Sequence, residues 1–122
     1  MMLFALCCSL AVTGFHAHIY FDTFSCEAAA RIREGLGAKF DVRLGRWHEQ
    51  PIGPHPKSMY QVAFLPHQFG EVVPWLMVNR EGLDILVHPE TGDDVKDHTD
   101  NSLWLGEKLP LNIEFLQRLK TI

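Results

Sequence analysis

Histidines are the residues of this chain whose type and spacing could do chemistry, since there are seven among 122 residues. Four of them lie in three short segments: His16 and His18 in HAHIYF, His55 in PIGPHP and His88 in ILVHPETGDD. Side chains two residues apart in a strand point to the same face, so His16, His18 and Tyr20 share one face if the first segment is a strand. The pattern predicts a polar face that can bind a metal, opposite an apolar face.

The elements that position these histidines follow from hydrophobic periodicity. Alternation and short apolar runs predict strands over residues 16–21, 39–44, 58–65 and 83–87. Helical spacing predicts one helix between Ser25 and Gly37, a second over residues 68–79 and a short third that begins at Asn112. The order βαββαβ is that of ferredoxin-like split βαβ domains, so we predict an α+β fold with an antiparallel sheet of order 4-1-3-2 and a C-terminal helix.

The same plan predicts where the histidines meet. We take the first and third strands as parallel neighbours in the centre, which puts their starts and the ends of the other two strands on one edge of the sheet. The residues expected at that edge are His16, Arg46, His48, His55 and His88. His67 begins the second helix and is expected at the opposite edge, outside any site.

Length and charge limit the class of protein. A chain of 122 residues with 47% hydrophobic residues suits one core, so we expect a single domain over residues 16–122. The net charge of -4 with dispersed basic residues argues against nucleic acid and against a polybasic membrane anchor. The three cysteines form neither a disulfide framework nor a zinc-finger spacing, which favours a cytoplasmic protein.

Residues 1–15 form an apolar segment that could resemble the hydrophobic part of a signal peptide. The segment lacks a positively charged start and is too short to span a bilayer. We therefore expect a variable leader or an extra edge segment there.

Four blocks of the sequence resemble the DOPA 4,5-dioxygenase family, in its fungal and bacterial branch. In chain order they are HAHIYFD, PIGPHPKSMYQVAF, WLMVNREGLDILVHPETGDD and DHTDNSLWLG, and the resemblance runs from His16 to about Leu111. It implies a non-haem Fe(II) enzyme that opens the ring of a catechol such as L-DOPA by extradiol cleavage with O₂. Composition and spacing do not indicate that reaction by themselves.

The available residues agree with that chemistry. Iron must keep positions open for both catechol oxygens and for O₂, so three protein ligands suffice, and imidazole is a suitable ligand. A neutral histidine can also take a catechol proton and later return one. We predict His18, His55 and His88 as metal ligands and His16 as the acid and base, with His98 as the reserve for either role.

A carboxylate is the alternative ligand, because the common non-haem iron site combines two histidines with one carboxylate. Asp93 and Asp94 could fold back toward the metal. Asp22 and Glu90 are further possibilities, although Asp22 lies at the far end of its predicted strand. Whether one of these replaces a histidine is left open.

Three residues are predicted to contact the substrate. Arg46 could bind a substrate carboxylate through the paired donors of its guanidinium, although a solvated loop arginine is an equally good interpretation. Tyr20, on the histidine face, could contact an aromatic ring. His48 is expected at the rim of the site.

Two other functions use the same residues. A ferredoxin-like domain with an open sheet face could be a metal- or small-ligand-binding module without turnover, and we expect a homodimer formed through such a face. A zinc-dependent hydrolase is the other alternative, since zinc also accepts three histidines and a water molecule. An isolated iron enzyme could likewise contain zinc.

Overall fold

Two central strands that supply the histidines lie inside a five-stranded antiparallel sheet of order β2-β3-β1-β4-β5. The computed structural model describes residues 12–120. Its strands are β1 Phe15–Tyr20, β2 Arg43–Leu44, β3 Met59–Phe64, β4 Ile85–Pro89 and β5 Leu103–Leu105. Its helices are α1 Cys26–Lys39, α2 Phe69–Asn79, α3 Asp94–Asp97 and α4 Ile113–Lys120.

The predicted fold class is confirmed. Strands β1 to β4 follow the order 4-1-3-2 of a ferredoxin-like split sandwich, and α4 is the C-terminal helix. Strand β5, which adds a fifth member beside β4, was not predicted, because LWL is too short to show alternation.

The predicted parallel pairing of the first and third strands is wrong. Strand β1 is antiparallel to both β3 and β4. The physical reason is the connectivity: α1 returns the chain so that β2 runs in the direction of β1, and β3 then reverses beside β2. The start of β1 therefore lies beside the ends of β3 and β4, whereas His55 precedes β3 at the other edge.

Three elements differ in their bounds from the prediction. The strand expected over residues 39–44 is reduced to Arg43–Leu44. Helix α1 continues past Gly37, whose missing side chain allows Leu44 to pack closely against it. Strand β4 begins two residues later than expected, because Gly82 adopts a left-handed conformation (φ 79°) in the turn before it.

One face of the sheet packs against α1 and α2. Helix α1 buries three residues at helical spacing, Ala29, Ile32 and Leu36, and α2 buries Val72, Val73 and Leu76. They pack on Ala17, Ile19, Val62, Phe64, Ile85 and Val87 of the sheet. Each fully buried aliphatic side chain of this kind stabilises a fold by about 1.5–3 kcal/mol, so this face supplies the main core.

The opposite face of the sheet is covered by the segment that follows β4. Tyr20, Met59 and Leu86 form a small second cluster there, with Trp104, Leu109 and Leu111 packed against it. The same face carries the even-numbered histidines of β1. We call it the histidine face. Within residues 12–120, no helix is both long and apolar enough to cross a membrane.

Candidate active site

Strand register brings two of the predicted histidines together directly. His16 of β1 is the partner of His88 of β4, and their ring centroids are 5.2 Å apart. His18 lies two residues further along β1 on the same face, and its ring centroid is 5.1 Å from that of His88. The alternation of β1 that the sequence predicted is therefore present.

Two further histidines reach the cluster from loops. His55 lies in the loop before β3, where its Nδ1 shares a 2.7 Å hydrogen bond with the Tyr20 hydroxyl. His98 follows α3, and its ring centroid is 4.1 Å from that of His88. The His18 and His55 rings are 4.2 Å apart. The site thus forms on the predicted polar face of the sheet, whereas the prediction that His48 and His55 lie at the same edge as His16 is wrong.

Two overlapping groups of three histidines have the geometry to hold a metal ion. The groups are His16, His18 and His88, and His18, His55 and His98; in each, the candidate ligand atoms lie within 4.8 Å of one another. His18 belongs to both. The predicted ligand set of His18, His55 and His88 draws on both groups.

Hydrogen bonds determine which ring nitrogens are available. His88 Nδ1 donates to the Pro89 carbonyl oxygen (2.9 Å), and His98 Nδ1 donates to that of Asp94 (2.7 Å). His16 Nδ1 lies 2.8 Å from Glu90 Oε1. Metal-binding histidines usually donate their second N–H to a carbonyl or carboxylate in this way, which leaves Nε2 for the ion.

The contact between His18 and His88 also fits a metal site. Their Nε2 atoms are 3.1 Å apart. Two ligands at metal–nitrogen distances of about 2.0–2.1 Å in a tetrahedral arrangement lie roughly 3.3 Å apart. Within the described residues, no carbonyl or carboxylate engages either ring nitrogen of His18, because its Nε2 meets only His88 and its buried Nδ1 has no partner. The donor set therefore suits a transition metal.

Burial and neighbouring imidazoles favour the neutral form of four histidines of the cluster, because they lower the pKa of His16, His18, His55 and His88. Burial, together with a smaller contribution from neighbouring imidazoles, lowers the pKa of His55 to about 3 and that of His88 to about 4. The pKa of His18 lies well below its usual value for the same two reasons, and the pKa of His16 is lowered less. Neutral imidazole is the form that binds metals, so these four histidines are in the metal-binding form at neutral pH.

The carboxylates considered as ligands have other roles. Asp93 caps α3 by accepting from the Lys96 N–H (3.1 Å), and Asp22 Oδ1 accepts two N–H groups of its own turn. Asp94 and Asp93 are absent from the three-ligand groups found within residues 12–120. Glu90 contacts His16, and burial raises the pKa of its carboxyl group.

Asp97 is a site-supporting residue that the sequence analysis missed. Its carboxylate is 1% exposed and accepts hydrogen bonds from the Thr91 N–H (2.9 Å), the Thr91 hydroxyl (2.6 Å) and the Asn101 amide (3.2 Å). These bonds fasten the segment between His88 and His98. The adjacent Asp-His pair in DDVKDHTD was the available signal, but Asp is common in turns.

The predicted substrate contacts lie in different surroundings. Tyr20 is buried and stacks on Trp104 at 5.9 Å. His48 pairs with Met59 in an isolated bridge, and its charge interaction contributes to the lowered pKa of His55. Arg46 is exposed.

His67 is exposed in the 3-10 turn directly after β3. Because β3 ends beside the start of β1, His67 lies at the same edge as His16, and the predicted opposite position is wrong. Neither metal-competent group contains it.

Open space reaches the cluster from two sides. A groove of about 540 Å³ runs along the edge where β1 begins and is lined in part by His16, Arg43, Ala63 and Glu90. A smaller cavity of about 240 Å³ borders His98. The first is large enough for a substituted aromatic ring.

Comparison with known proteins identifies one family. A profile of the Dopa 4,5-dioxygenase family matches residues 15–115. An uncharacterized 21.2 kDa protein of Botryotinia fuckeliana is 42% identical over 119 residues, covering 88% of this chain and 65% of the relative. A DOPA 4,5-dioxygenase of Amanita muscaria is 35% identical over 111 residues, covering 84% of this chain and 49% of the relative. This chain therefore spans about half to two thirds of the length of these curated relatives.

A solved structure extends the similarity to three dimensions. The crystal structure of a "putative dioxygenase" from Nostoc punctiforme matches with a TM-score of 0.89 and 72% sequence identity, covering 89% of this chain and 95% of that one. From the match over residues 15–115 and these relatives, the chain belongs to the Dopa 4,5-dioxygenase family.

Proposed function

We propose that this chain carries a non-haem Fe(II) site and cleaves the ring of a catechol such as L-DOPA with O₂, in the extradiol manner. The observation that carries the proposal is the set of five buried or half-buried imidazoles on one face, with His18 shared by two metal-competent groups. Membership of the family supplies the reaction type.

The group formed by His16, His18 and His88 is the better iron site. All three residues lie on adjacent strands of the sheet, which positions them more rigidly than loops would. His16 and His88 have Nδ1 engaged by Glu90 and by the Pro89 carbonyl. His16 of this group also borders the larger groove, whose lining includes neither His55 nor His98.

Iron bound there would supply open coordination positions for both catechol oxygens and for O₂. His98 is then the acid and base, since its Nδ1 is held by the Asp94 carbonyl and its ring lies beside His88. With a free Nε2, the imidazole can take a catechol proton and return it. His55, held by Tyr20, closes the inner side of the cluster and limits access of water.

The test is reconstitution of the purified protein with Fe(II) under anaerobic conditions, followed by L-DOPA and oxygen. We expect O₂ uptake equal to catechol consumption and a yellow ring-opened product. Substitution of the exposed His67 by Ala should leave both unchanged. Failure of every catechol to react would overturn the dioxygenase proposal, and bound iron without O₂ uptake would favour a binding module. Zinc bound in preference to iron, with hydrolytic activity, would favour the hydrolase.

Two single substitutions decide between the histidine groups. His88→Ala should abolish iron binding, whereas His55→Ala should retain most of it while lowering turnover. The reverse result would assign the iron to His18, His55 and His98. Loss in both variants would support the ligand set predicted from the sequence.

The homodimer and the cytoplasmic location stay predictions. Size-exclusion chromatography with light scattering would test the dimer. Fluorescence microscopy of the tagged full-length chain would test the location.

A further inference from the structure

One row of side chains crosses four strands of the histidine face. Ala63 of β3 is the partner of both Arg43 in β2 and His16 in β1, and His16 is the partner of His88 in β4. Partners on neighbouring strands project to the same face of a sheet. Arg43 therefore lies in the same row as the proposed iron ligands, two strands from His16 and roughly 10 Å away at a strand spacing of about 4.8 Å.

The middle of this row is open. Ala63 contributes only a methyl group between Arg43 and His16, and all three residues line the 540 Å³ groove. A catechol ring placed over Ala63 would point its hydroxyls at His16 and His88. A short side chain on the opposite side of the ring would then extend toward Arg43.

The charged residues of the groove favour one orientation of a bound catechol. Arg43 is the only Lys or Arg among the residues that line it, whereas Asp41 and Glu90 are acidic. Within residues 12–120, no hydrogen bond or ion pair occupies the Arg43 guanidinium. Glu90 lies at the histidine end, so a substrate carboxylate is repelled there and attracted to Arg43 at the far end.

We infer that Arg43 binds the carboxylate of a catechol that carries an acidic side chain, and so sets substrate specificity at this site. The inference rests on the proposed function. It replaces Arg46 in that role, because Arg46 is three residues beyond Arg43, past Gly45, whose N–H donates to the Gln61 carbonyl oxygen, and so lies outside the row of His16. A guanidinium suits a carboxylate because it donates two parallel hydrogen bonds.

The experiment compares two kinds of substrate in the iron-loaded protein. L-DOPA and 3,4-dihydroxyphenylpropionate carry a carboxylate, whereas 4-methylcatechol is neutral. Arg43→Ala should lower kcat/KM roughly 10- to 100-fold for the two acids, mainly through KM, because a charged hydrogen-bonding partner is lost. It should leave 4-methylcatechol unchanged, and Arg43→Lys should recover only part of the loss.

Two further variants serve as controls. Arg31→Ala removes an exposed arginine of α1, away from the histidine face, that pairs with Glu81. It should leave kcat/KM unchanged for both kinds of substrate. An equal loss of activity with acidic and neutral catechols in Arg43→Ala would overturn the inference. A selective loss in Arg46→Ala in place of Arg43→Ala would overturn it as well.

A binding measurement separates this inference from the proposed function. If the wild-type protein turns over neither kind of catechol, the dioxygenase proposal fails. Anaerobic titration of the metal-free protein with L-DOPA and with 4-methylcatechol then decides the role of Arg43. Weaker binding of L-DOPA alone in Arg43→Ala would retain Arg43 as the carboxylate site, and unchanged affinity would exclude it.

Discussion

The two faces of the sheet are built from the same strands but have different roles. On the helix-covered face, Ala17 and Ile19 of β1 are 0% exposed and pack among aliphatic residues. On the histidine face, His16 and His18 of the same strand meet other imidazoles. The alternation of a single strand thus separates the residues that stabilise the fold from those that form the site.

The histidine face also carries a cost in folding free energy. On the helix-covered face, the buried Tyr60 hydroxyl donates to the Ala29 carbonyl (2.8 Å), whereas Arg33 Nη1 of α1 has no hydrogen-bond partner within the described residues. On the histidine face, His18 Nδ1 has no partner within the described residues. An unsatisfied buried group costs about 1–3 kcal/mol, so this imidazole destabilises the fold. Such local cost is expected at functional sites.

The largest expected effect comes from removing the shared histidine. His18→Ala should reduce iron from about one ion per chain to nearly none and abolish turnover, because both metal-competent groups lose a ligand. Iron content after anaerobic reconstitution measures this, with circular dichroism to verify folding. Retention of stoichiometric iron would show that the site lies elsewhere.

Substitution of Ile19, the residue after His18 in β1, should lower stability and leave iron binding unchanged. Ile19→Ala opens a cavity in the main core and should lower the free energy of unfolding by about 2–5 kcal/mol. Urea denaturation measures the loss. The fraction that stays folded should bind iron normally, and a parallel loss of iron affinity would contradict the separation of the two faces.

The free energy of unfolding of the metal-free protein should decrease as the pH falls, because the histidine face holds buried imidazoles. His55 and His88 have lowered pKa values of about 3 and 4 when folded, against 6.5 when unfolded. As the pH falls from 6.5 toward 4, the unfolded chain binds protons that the folded chain does not. At a pH of about 5.5, each of the two histidines should lower the free energy of unfolding by about 1 kcal/mol. Full stability should return above a pH of about 6.5.

Urea midpoints at several pH values would measure this slope. His67→Ala is the matched control, because His67 is exposed, and it should leave the profile unchanged. A flat profile between these pH values would mean that the buried imidazoles are not held neutral.

The smallest effect is expected for a pair of tyrosines, one on each face. Tyr20→Phe removes the hydrogen bond to His55, and Tyr60→Phe removes the one to Ala29. Each should cost about 1 kcal/mol in the free energy of unfolding. Only Tyr20→Phe should also reduce turnover, by a few-fold, because it loosens His55; equal effects on turnover would argue against this difference.

The sequence predicted the order of elements and the α+β fold well. Both depend on local signals: apolar residues at helical spacing in α1 and the two-residue alternation of β1. It was also correct that Asn112 opens the last helix, where its side chain accepts from the Phe115 N–H (3.2 Å). Residues 1–11 lie outside the described part of the chain, so the leader stays a prediction.

Three of the five clustered histidines, His16, His55 and His88, were predicted to meet, but at one edge of the sheet. That prediction placed His55 beside the start of β1, although His55 lies at the other end of the sheet beside Tyr20. His55 still joins the cluster because its loop folds over the face. The course of a loop and the direction of a strand pairing depend on contacts distant in sequence, which periodicity does not contain.

By itself, the sequence determined that His16, His18 and Tyr20 share a face, because alternation is a property of any strand. Only the tertiary structure decided that His16 pairs with His88, that His98 joins them through the segment fastened by Asp97, and that Arg43 lies in their row. These positions are set by strand register and loop packing, which are fixed when distant segments bury their apolar faces together.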